Sequence, residues 1–124
     1  MLEPHLKDDD LLQDIATAPA ADECFHIWWL GQSGFLLKWG QRFLLMDPYL
    51  SDSLTAKYAA TDKPHIRMTA LPVDPARLDF IDVVTSSHNH TDHLDTESLL
   101  PLLEASQDAR LLIPAANTEF VMER

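Results

Sequence analysis

The sequence predicts a mixed α/β fold, in which helices pack on a sheet that has both antiparallel and parallel strands. Two observations carry this prediction. Residues 24–46 form three short apolar segments separated by glycine-containing turns, which is typical of an antiparallel meander. Residues 81–113 form an apolar segment, a helical segment and a second apolar segment, which is typical of a parallel βαβ unit. We expect both units to share one sheet.

A short helix is expected before the meander, at residues 6–18. Its apolar stripe is formed by Leu11, Leu12 and Ile15. Pro19 ends it, because proline lacks the backbone N–H that a continuing helix needs. We therefore divide the chain into an N-terminal helical extension, residues 1–22, and a partial domain, residues 23–124.

The meander is expected to consist of strands at residues 24–30, 35–38 and 42–46. The first is rich in aromatic and branched side chains, so we expect it to be buried. Cys24 is then a core residue rather than a nucleophile. His26 is expected in the core or on a face of the sheet. Because Cys24 is the only cysteine, the chain cannot form an internal disulfide, which fits a reducing cytoplasm.

The segment 48–75 contains four prolines and is expected to be a long loop with one helical piece at 53–60. A short helix is expected at 74–78. Long loops of this kind often serve function, and His65 within it is either a substrate contact or an ordinary surface residue.

The last third of the chain should form the βαβ unit, with strands at 81–85 and 110–113. Between them Pro101 is unfavourable inside a helix, so we expect a turn at 95–98 and a helix that starts at Leu99, with Ser98 near its cap. A further helix is expected at 117–123.

Charge and hydrophobicity exclude two classes of partner. The 124 residues carry 9 basic and 20 acidic side chains, a formal net charge of −11. Surfaces that bind nucleic acid or anionic membranes need clustered lysine and arginine, so neither partner is expected. No apolar run approaches the roughly 18 residues that a membrane span requires. The N-terminus also lacks the basic and apolar regions of a signal peptide.

The chemistry of the chain is concentrated in the segment His88-Asn89-His90-Thr91-Asp92-His93, which follows the strand at 81–85. The pattern His-x-His-x-Asp-His should arise by chance in roughly one chain of this length in ten thousand. A polar turn that only caps a helix would need one Asp or Asn and no imidazoles. We therefore interpret the segment as a metal site.

The spacing suggests how the ligands divide between ions. In extended backbone His88 and His90 point to the same side, so both can bind one ion. Asp92 and His93 follow as the chain turns and can face a second ion. Two neighbouring ions can activate a bridging water as the nucleophile, without any serine or cysteine.

Two aspartates outside this pattern leave alternatives open. Asp47 precedes Pro48 at the end of the third strand, where it is either a turn residue or a carboxylate that accepts the free N–H of a ligating histidine. Asp95 either caps the following helix or orients a ligating histidine.

The pattern at 88–93 resembles the signature of the metallo-β-lactamase superfamily. The segments WWLGQSGFLLK, residues 28–38, and IDVVTSSHNHTDHLD, residues 81–95, are similar to the branch of lactonases that act on L-ascorbate 6-phosphate. Residues 87–95 are also similar to the phospholipases D that cleave N-acyl phosphatidylethanolamine. Asp47-Pro48 matches the turn after the third strand in both branches, which favours the orienting role for Asp47.

The resemblance implies an αββα sandwich, of which this chain supplies the N-terminal half, and metal-dependent hydrolysis of a small-molecule lactone, ester or phosphodiester. It implies two divalent ions, Zn²⁺ or Mn²⁺, with His88 and His90 on the first and Asp92 and His93 on the second. Asp92 is the expected catalytic residue. Lactonase activity on a phosphorylated sugar lactone is the first expectation, and N-acyl phosphatidylethanolamine cleavage is the alternative.

The family's remaining ligands, a third histidine, a bridging aspartate and a final histidine, lie in its second half. After His93 this sequence has no histidine, and its only later aspartates are Asp95 and Asp108. We therefore expect a truncated chain with little activity alone, or a non-catalytic metal-binding module. Its sheet face, meant for the other half, is expected to favour self-association.

Overall fold

The computed structural model describes residues 1–21 and 23–123, which form a five-stranded sheet and flanking helices. The strands are β1 (Phe25–Trp29), β2 (Phe35–Trp39), β3 (Arg42–Met46), β4 (Val83–Thr85) and β5 (Arg110–Leu112). The α-helices are α1 (Asp8–Thr17), α2 (Ser53–Tyr58), α3 (Thr96–Ala105) and α4 (Thr118–Met122). Short 3₁₀ helices occupy Pro75–Arg77 and Ala115–Asn117.

The strands lie side by side in the order β1-β2-β3-β4-β5. The first three form the antiparallel meander, and β4 adds to β3 in the parallel direction, as β5 does to β4. Helix α3 connects the two parallel strands β4 and β5. The expected mixed sheet with a βαβ unit is therefore confirmed.

The hydrophobic core lies between one face of the sheet and the helices. At the centre of that face Leu36, Leu45 and Val84 are fully buried. Helix α1 contributes Leu11 and Ile15 to the same core, and α3 contributes leucines to it as well. Helix α1 is thus packed into the core, while the expected boundary between residues 22 and 23 stays a prediction.

A buried lysine fastens α1 to the sheet. Lys38 of β2 lies on the core face and is only 4% exposed. Its Nζ donates hydrogen bonds to the backbone carbonyls of Ile15, at 3.0 Å, and Ala18, at 2.7 Å. Carbonyls at the end of a helix lack intrahelical partners and carry partial negative charge, so a cation stabilises them there.

The opposite face of the sheet is apolar and uncovered by the described residues. Five of its large side chains are more than half exposed, namely Phe25, Ile27, Trp29, Trp39 and Leu112. The prediction that residues 24–30 form a buried strand was therefore wrong, because β1 alternates between exposed and half-buried positions. Cys24, expected in the core, is exposed just before this edge strand.

Helix α3 begins earlier than expected. It runs unbroken through Pro101, so the predicted division into a turn and a helix from Leu99 was wrong. Proline removes the bond to the carbonyl four residues before, that of Glu97, and this residue is exposed to solvent that can replace the partner. Ser98 lies inside the helix, and Asp95 occupies the N-cap position.

The segment between β3 and β4 is mostly irregular, as expected, with α2 and one 3₁₀ turn as its regular pieces. Asp74 caps the 3₁₀ turn by accepting the N–H of Ala76 at 2.9 Å. Among the described residues, no helix combines the length and the apolar character needed to cross a membrane.

Candidate metal centre

Three loops meet at one edge of the sheet. Because β3 and β4 are parallel, with Met46 opposite Thr85, the residues after both strands leave the sheet at the same edge. The β1–β2 turn also reaches this edge, since Phe35 pairs with Met46. The edge therefore gathers Asp47 from one loop and residues 86–95 from another.

Asp47 is held in an uncommon backbone conformation directly after β3. Its φ of 42° lies in the left-handed region, which costs a residue with a side chain about 1–2 kcal/mol. The Asp47 N–H donates to the carbonyl of Thr85 at 3.1 Å. This contact across the parallel strands helps to hold the strained turn, and Asp47 as a residue is left only 8% exposed.

The Asp47 carboxylate accepts hydrogen bonds from three neighbouring residues. Oδ1 accepts the Thr85 hydroxyl at 2.8 Å and the Ser87 N–H at 3.0 Å. Oδ2 accepts the Ser87 hydroxyl and lies 2.7 Å from Nδ1 of His93. Burial alone raises the pKa of this carboxyl, but the bonds from Ser87, His93 and Thr85 outweigh it and hold the pKa below its ordinary value.

The contact with Asp47 fixes the tautomer of His93. An ionised carboxylate only accepts hydrogen bonds, so Nδ1 of His93 must carry the proton. A neutral His93 then has its lone pair on Nε2. This geometry supports the orienting role expected for Asp47.

The three histidine rings of the cluster lie against one another. The ring centroids of His88 and His93 are 4.0 Å apart, and those of His88 and His90 are 4.6 Å apart. The backbone here is bent, so the expectation that His88 and His90 align in extended chain was wrong. The rings converge through a turn, in which the carbonyl of His90 accepts the N–H groups of His93 and Leu94 at 2.9 and 2.8 Å.

Asp92 faces the nitrogen of His93 that Asp47 leaves free. Its Oδ2 lies 3.7 Å from Nε2 of His93, and its side chain is 40% exposed. The loop is fastened from the β1–β2 turn by Ser33, whose hydroxyl donates to the carbonyl of Asp92 at 2.9 Å. The same hydroxyl lies 3.2 Å from the carbonyl of Asp47.

The donor set fits a divalent cation. Within the described part of the chain, Asp47, His88 and His93 each place a ligand-type atom within 4.8 Å of the others. Imidazole nitrogens and carboxylate oxygens are ligands for zinc and manganese alike. Both oxygens of Asp47 already accept hydrogen bonds from neighbours. The histidines and the nearby Asp92 are therefore more available as metal ligands than Asp47 is.

The structure places Asp95 away from this cluster. The residue is 1% exposed, and its carboxylate accepts the hydroxyls of Ser51 and Ser53, each at 2.7 Å, and that of Ser98. It stands at the N-cap of α3 but makes no side-chain hydrogen bond to the helix backbone. The Asp95 side chain is therefore hydrogen-bonded neither to the backbone of α3 nor to a ligating histidine, the two roles expected from the sequence.

Two of the three remaining histidines, His26 and His65, make contacts elsewhere in the domain. Nε2 of His26 lies 3.0 Å from the carbonyl of Pro19 at the end of α1. His65 packs edge-on against the buried Tyr49, with ring centroids 6.2 Å apart. Both side chains therefore contact other parts of the domain, the end of α1 and the buried Tyr49.

Sequence reasoning missed the hydroxyl residues of the site. Thr85, Ser87 and Ser33 each contact Asp47 or the histidine loop, yet serine and threonine are too common to attract attention. Their position was a usable signal, because Thr85 ends β4 and Ser87 follows it closely, and β4 lies parallel to β3, which ends just before Asp47.

Comparison with known proteins agrees with this geometry. The chain matches a family model described as "Beta-lactamase superfamily domain" over residues 26–121. It is 38% identical to an N-acyl-phosphatidylethanolamine-hydrolyzing phospholipase D of Saccharomyces cerevisiae over 57% of the chain and 14% of that protein. It is 34% identical to an uncharacterized protein of Mycobacterium tuberculosis over 69% of the chain and 22% of that protein.

A third relative is a probable L-ascorbate-6-phosphate lactonase of Escherichia coli, 26% identical over 79% of the chain. The aligned region spans 32% of that protein, so the chain covers less than a third of the length of all three relatives. The family match itself runs from β1 into α4 and takes in all five strands except Phe25. The chain therefore belongs to the metallo-β-lactamase superfamily.

Proposed function

We propose that this chain supplies the metal-binding half of a hydrolase site, in which His88 and His90 hold one divalent ion and Asp92 and His93 hold a second. The observation that carries the proposal is the contact at 2.7 Å between Asp47 and Nδ1 of His93. It leaves Nε2 as the free nitrogen, and Asp92 lies 3.7 Å from that atom. A carboxylate that orients a metal-binding imidazole is a recurring arrangement in such sites.

The residues of the site have separable tasks. When bound, Zn²⁺ or Mn²⁺ polarises a carbonyl or phosphoryl group and makes water a stronger nucleophile near neutral pH. Asp47 orients His93, and Ser33 holds the loop that carries Asp92. Asp92 is the more exposed of the two carboxylates at the cluster, with a side chain 40% exposed against 11% for Asp47, and a substrate reaches an exposed carboxylate more readily. We therefore assign it the catalytic role.

The substrate that we propose is a small-molecule phosphorylated sugar lactone. Support comes from the probable L-ascorbate-6-phosphate lactonase, to which 79% of this chain aligns. The alternative is phosphodiester cleavage in an N-acyl phosphatidylethanolamine, supported by the higher identity, 38%, to the yeast enzyme over a shorter region. In a second alternative the chain binds metal without turnover, which the hydrolysis assays below distinguish from either activity.

Further properties stay predictions. The apolar outer face of the sheet supports self-association through a second copy of the chain, which sedimentation velocity would detect as a concentration-dependent dimer. The net charge of −11 supports the absence of a nucleic-acid partner. A cytoplasmic location rests on the single cysteine alone.

Calorimetric titration of the metal-free 124-residue chain with Zn²⁺ and with Mn²⁺ tests the proposal. We expect binding in the wild type, loss of one binding event in His90→Ala and in His93→Ala, and no change in His26→Ala, a matched histidine outside the cluster. Absence of binding in the wild type, or unchanged binding in His93→Ala, would overturn it.

Hydrolysis assays then decide between the alternatives. The metal-loaded chain is offered a phosphorylated γ-lactone and an N-acyl phosphatidylethanolamine, with His90→Ala as the inactive control. Cleavage of the lactone supports the first substrate, and cleavage of the lipid supports the second. Metal binding with no turnover of either identifies a binding module.

A further inference from the structure

We infer that Ser87 is a positioning residue that transmits the orienting effect of Asp47 to His88, so that one carboxylate fixes the tautomers of two histidines. The inference rests on the proposed metal site. It concerns a residue that lies just outside the His-x-His-x-Asp-His pattern. Asp47 acts directly on His93, and through the Ser87 hydroxyl it acts on His88.

The direction of the hydrogen bonds follows from the acceptor. A carboxylate has no proton to give, so the Ser87 hydroxyl donates to Oδ2 of Asp47. A serine hydroxyl has a single proton, and here that proton is already used. Towards any other neighbour the oxygen of Ser87 can therefore only accept a hydrogen bond.

That neighbour is His88. Its Nδ1 lies 3.0 Å from the Ser87 oxygen, and the contact is a hydrogen bond only if Nδ1 carries the proton. The neutral ring of His88 then has its lone pair on Nε2, as His93 does. Nδ1 of His93 also lies 3.4 Å from this oxygen, but its proton already points to Asp47 at the shorter distance of 2.7 Å. Ser87 thus acts mainly on His88.

Two variants can separate a purely structural role of Ser87 from its effect on His88. The backbone N–H of Ser87 donates to Asp47 at 3.0 Å, and this bond survives replacement by alanine. The substitution Ser87→Ala therefore removes the hydroxyl that connects Asp47 to His88 and keeps the backbone hydrogen bond that anchors the loop. Ser86 is the matched control, because its hydroxyl donates to the carbonyl of His88 at 2.8 Å. Ser86→Ala loosens the same loop without touching a ring nitrogen.

The first experiment reads the tautomers without metal. Long-range ¹H–¹⁵N spectra at pH 8 distinguish histidines that are protonated at Nδ1 from those protonated at Nε2. We expect His88 and His93 to carry the proton on Nδ1 in the wild type and in Ser86→Ala. In Ser87→Ala we expect His93 to keep this form and His88 to become a mixture. A wild-type His88 protonated at Nε2, or a His88 that Ser87→Ala leaves unchanged, would overturn the inference.

The second experiment measures Zn²⁺ affinity by competition with a chromophoric chelator. We expect Ser87→Ala to bind roughly tenfold or more weakly than the wild type, because loss of an orienting partner typically costs 10- to 100-fold. Ser87→Thr, which keeps the hydroxyl, should restore most of the affinity, and Ser86→Ala should bind as the wild type does. Equal affinity in Ser87→Ala and the wild type contradicts the inference while leaving the proposed function intact. If the wild type binds no metal, the proposed function fails, and the tautomer spectra alone decide on Ser87.

Discussion

Two buried aspartates, 48 positions apart, show how differently one side chain can be used in this fold. Asp47 is 8% exposed and Asp95 is 1% exposed. Each accepts several hydrogen bonds, and neither forms an ion pair with a lysine or arginine among the described residues. They differ in what donates to them. An imidazole ring is among the donors to Asp47, whereas three serine hydroxyls surround Asp95.

The serines around Asp95 join α3 to the loop that follows β3. Ser51 lies in that loop, Ser53 is the first residue of α2, and Ser98 comes from the first turn of α3. The Ser98 hydroxyl also accepts the N–H of Leu50 at 2.7 Å. A buried network in which every member has a partner rigidifies its surroundings, and a broken one is costly. Asp95 is therefore expected to serve stability.

Asp47 stands where the ends of two parallel strands meet, which is the place where α/β sheets bind ligands. Its bonds hold a histidine whose second nitrogen faces Asp92. Comparison of the two sites shows that burial and residue type alone do not predict whether a carboxylate contacts an imidazole or only hydroxyl groups. We propose that the chemistry of the donor marks the role of each carboxylate, and variants of the two residues should separate stability from metal binding.

The largest effect is expected for Asp95→Ala. It leaves three serine hydroxyls without their acceptor, and a buried polar group without a partner costs about 1–3 kcal/mol. We expect the free energy of unfolding in urea to fall by roughly 3 kcal/mol or more, which for a domain of this size is a large share of the total.

Metal affinity, measured on the folded fraction of Asp95→Ala, should stay within about twofold of the wild type, because the side-chain hydrogen bonds of Asp95 come from serines and not from the histidines. If Asp95→Ala kept the stability of the wild type and lost metal binding, Asp95 would serve the metal site and the assignment of the two aspartates would be wrong.

Asp47→Asn should do the opposite. The amide keeps the shape of the side chain but presents an N–H₂ group to donors, so His93 loses its fixed tautomer. We expect Zn²⁺ affinity to fall roughly 10- to 100-fold, with a loss of only about 1–2 kcal/mol in unfolding free energy. Competition titrations and urea unfolding on the same preparations measure both quantities. Wild-type affinity in Asp47→Asn would contradict the orienting role.

The sheet could be predicted from the sequence because its patterns are local. Strands β2 and β3 show apolar runs bounded by Gly34 and Gly40, and the βαβ unit shows two apolar strands around a helix. Exposure of the outer face could not be predicted in the same way. Strand β1 has aromatic or branched residues on both sides, which predicts burial, but burial depends on which surfaces pack there. The described residues cover one side only.

The candidate site was predictable where its residues are rare and close in sequence. His88, His90 and His93 belong to a pattern too unusual for chance. The role of Ser87 depends on Asp47, which is 40 positions away, and nothing local in the sequence specifies that contact. The bent backbone at His88 was missed for a related reason, since extended backbone was assumed as far as His90, whereas strand β4 ends at Thr85.

The pH dependence of stability should show that Asp47 is stabilised in its charged form. The pKa of Asp47 is lowered in the folded state, so this residue contributes stability that is complete above its unfolded pKa of about 3.9 and is lost as the pH falls through the lower folded value. In urea unfolding between pH 5 and pH 2, the wild type should therefore lose stability more steeply than Asp47→Asn. Parallel curves for the two proteins would show that Asp47 is not stabilised in its charged form.

The smallest effects are expected from removing one hydroxyl at each aspartate. Thr85→Val deletes the donor at 2.8 Å from Asp47, and Ser53→Ala deletes a donor at 2.7 Å from Asp95. Both should lower the free energy of unfolding by about 1 kcal/mol, the typical net value of one hydrogen bond. Only Thr85→Val should also weaken Zn²⁺ binding, and by less than Asp47→Asn does, because Ser87 still holds the carboxylate. Equal Zn²⁺ affinity in Thr85→Val and Ser53→Ala would mean that the hydrogen bond from Thr85 to Asp47 contributes to folding alone. The two aspartates would then differ only in the bond between Asp47 and His93.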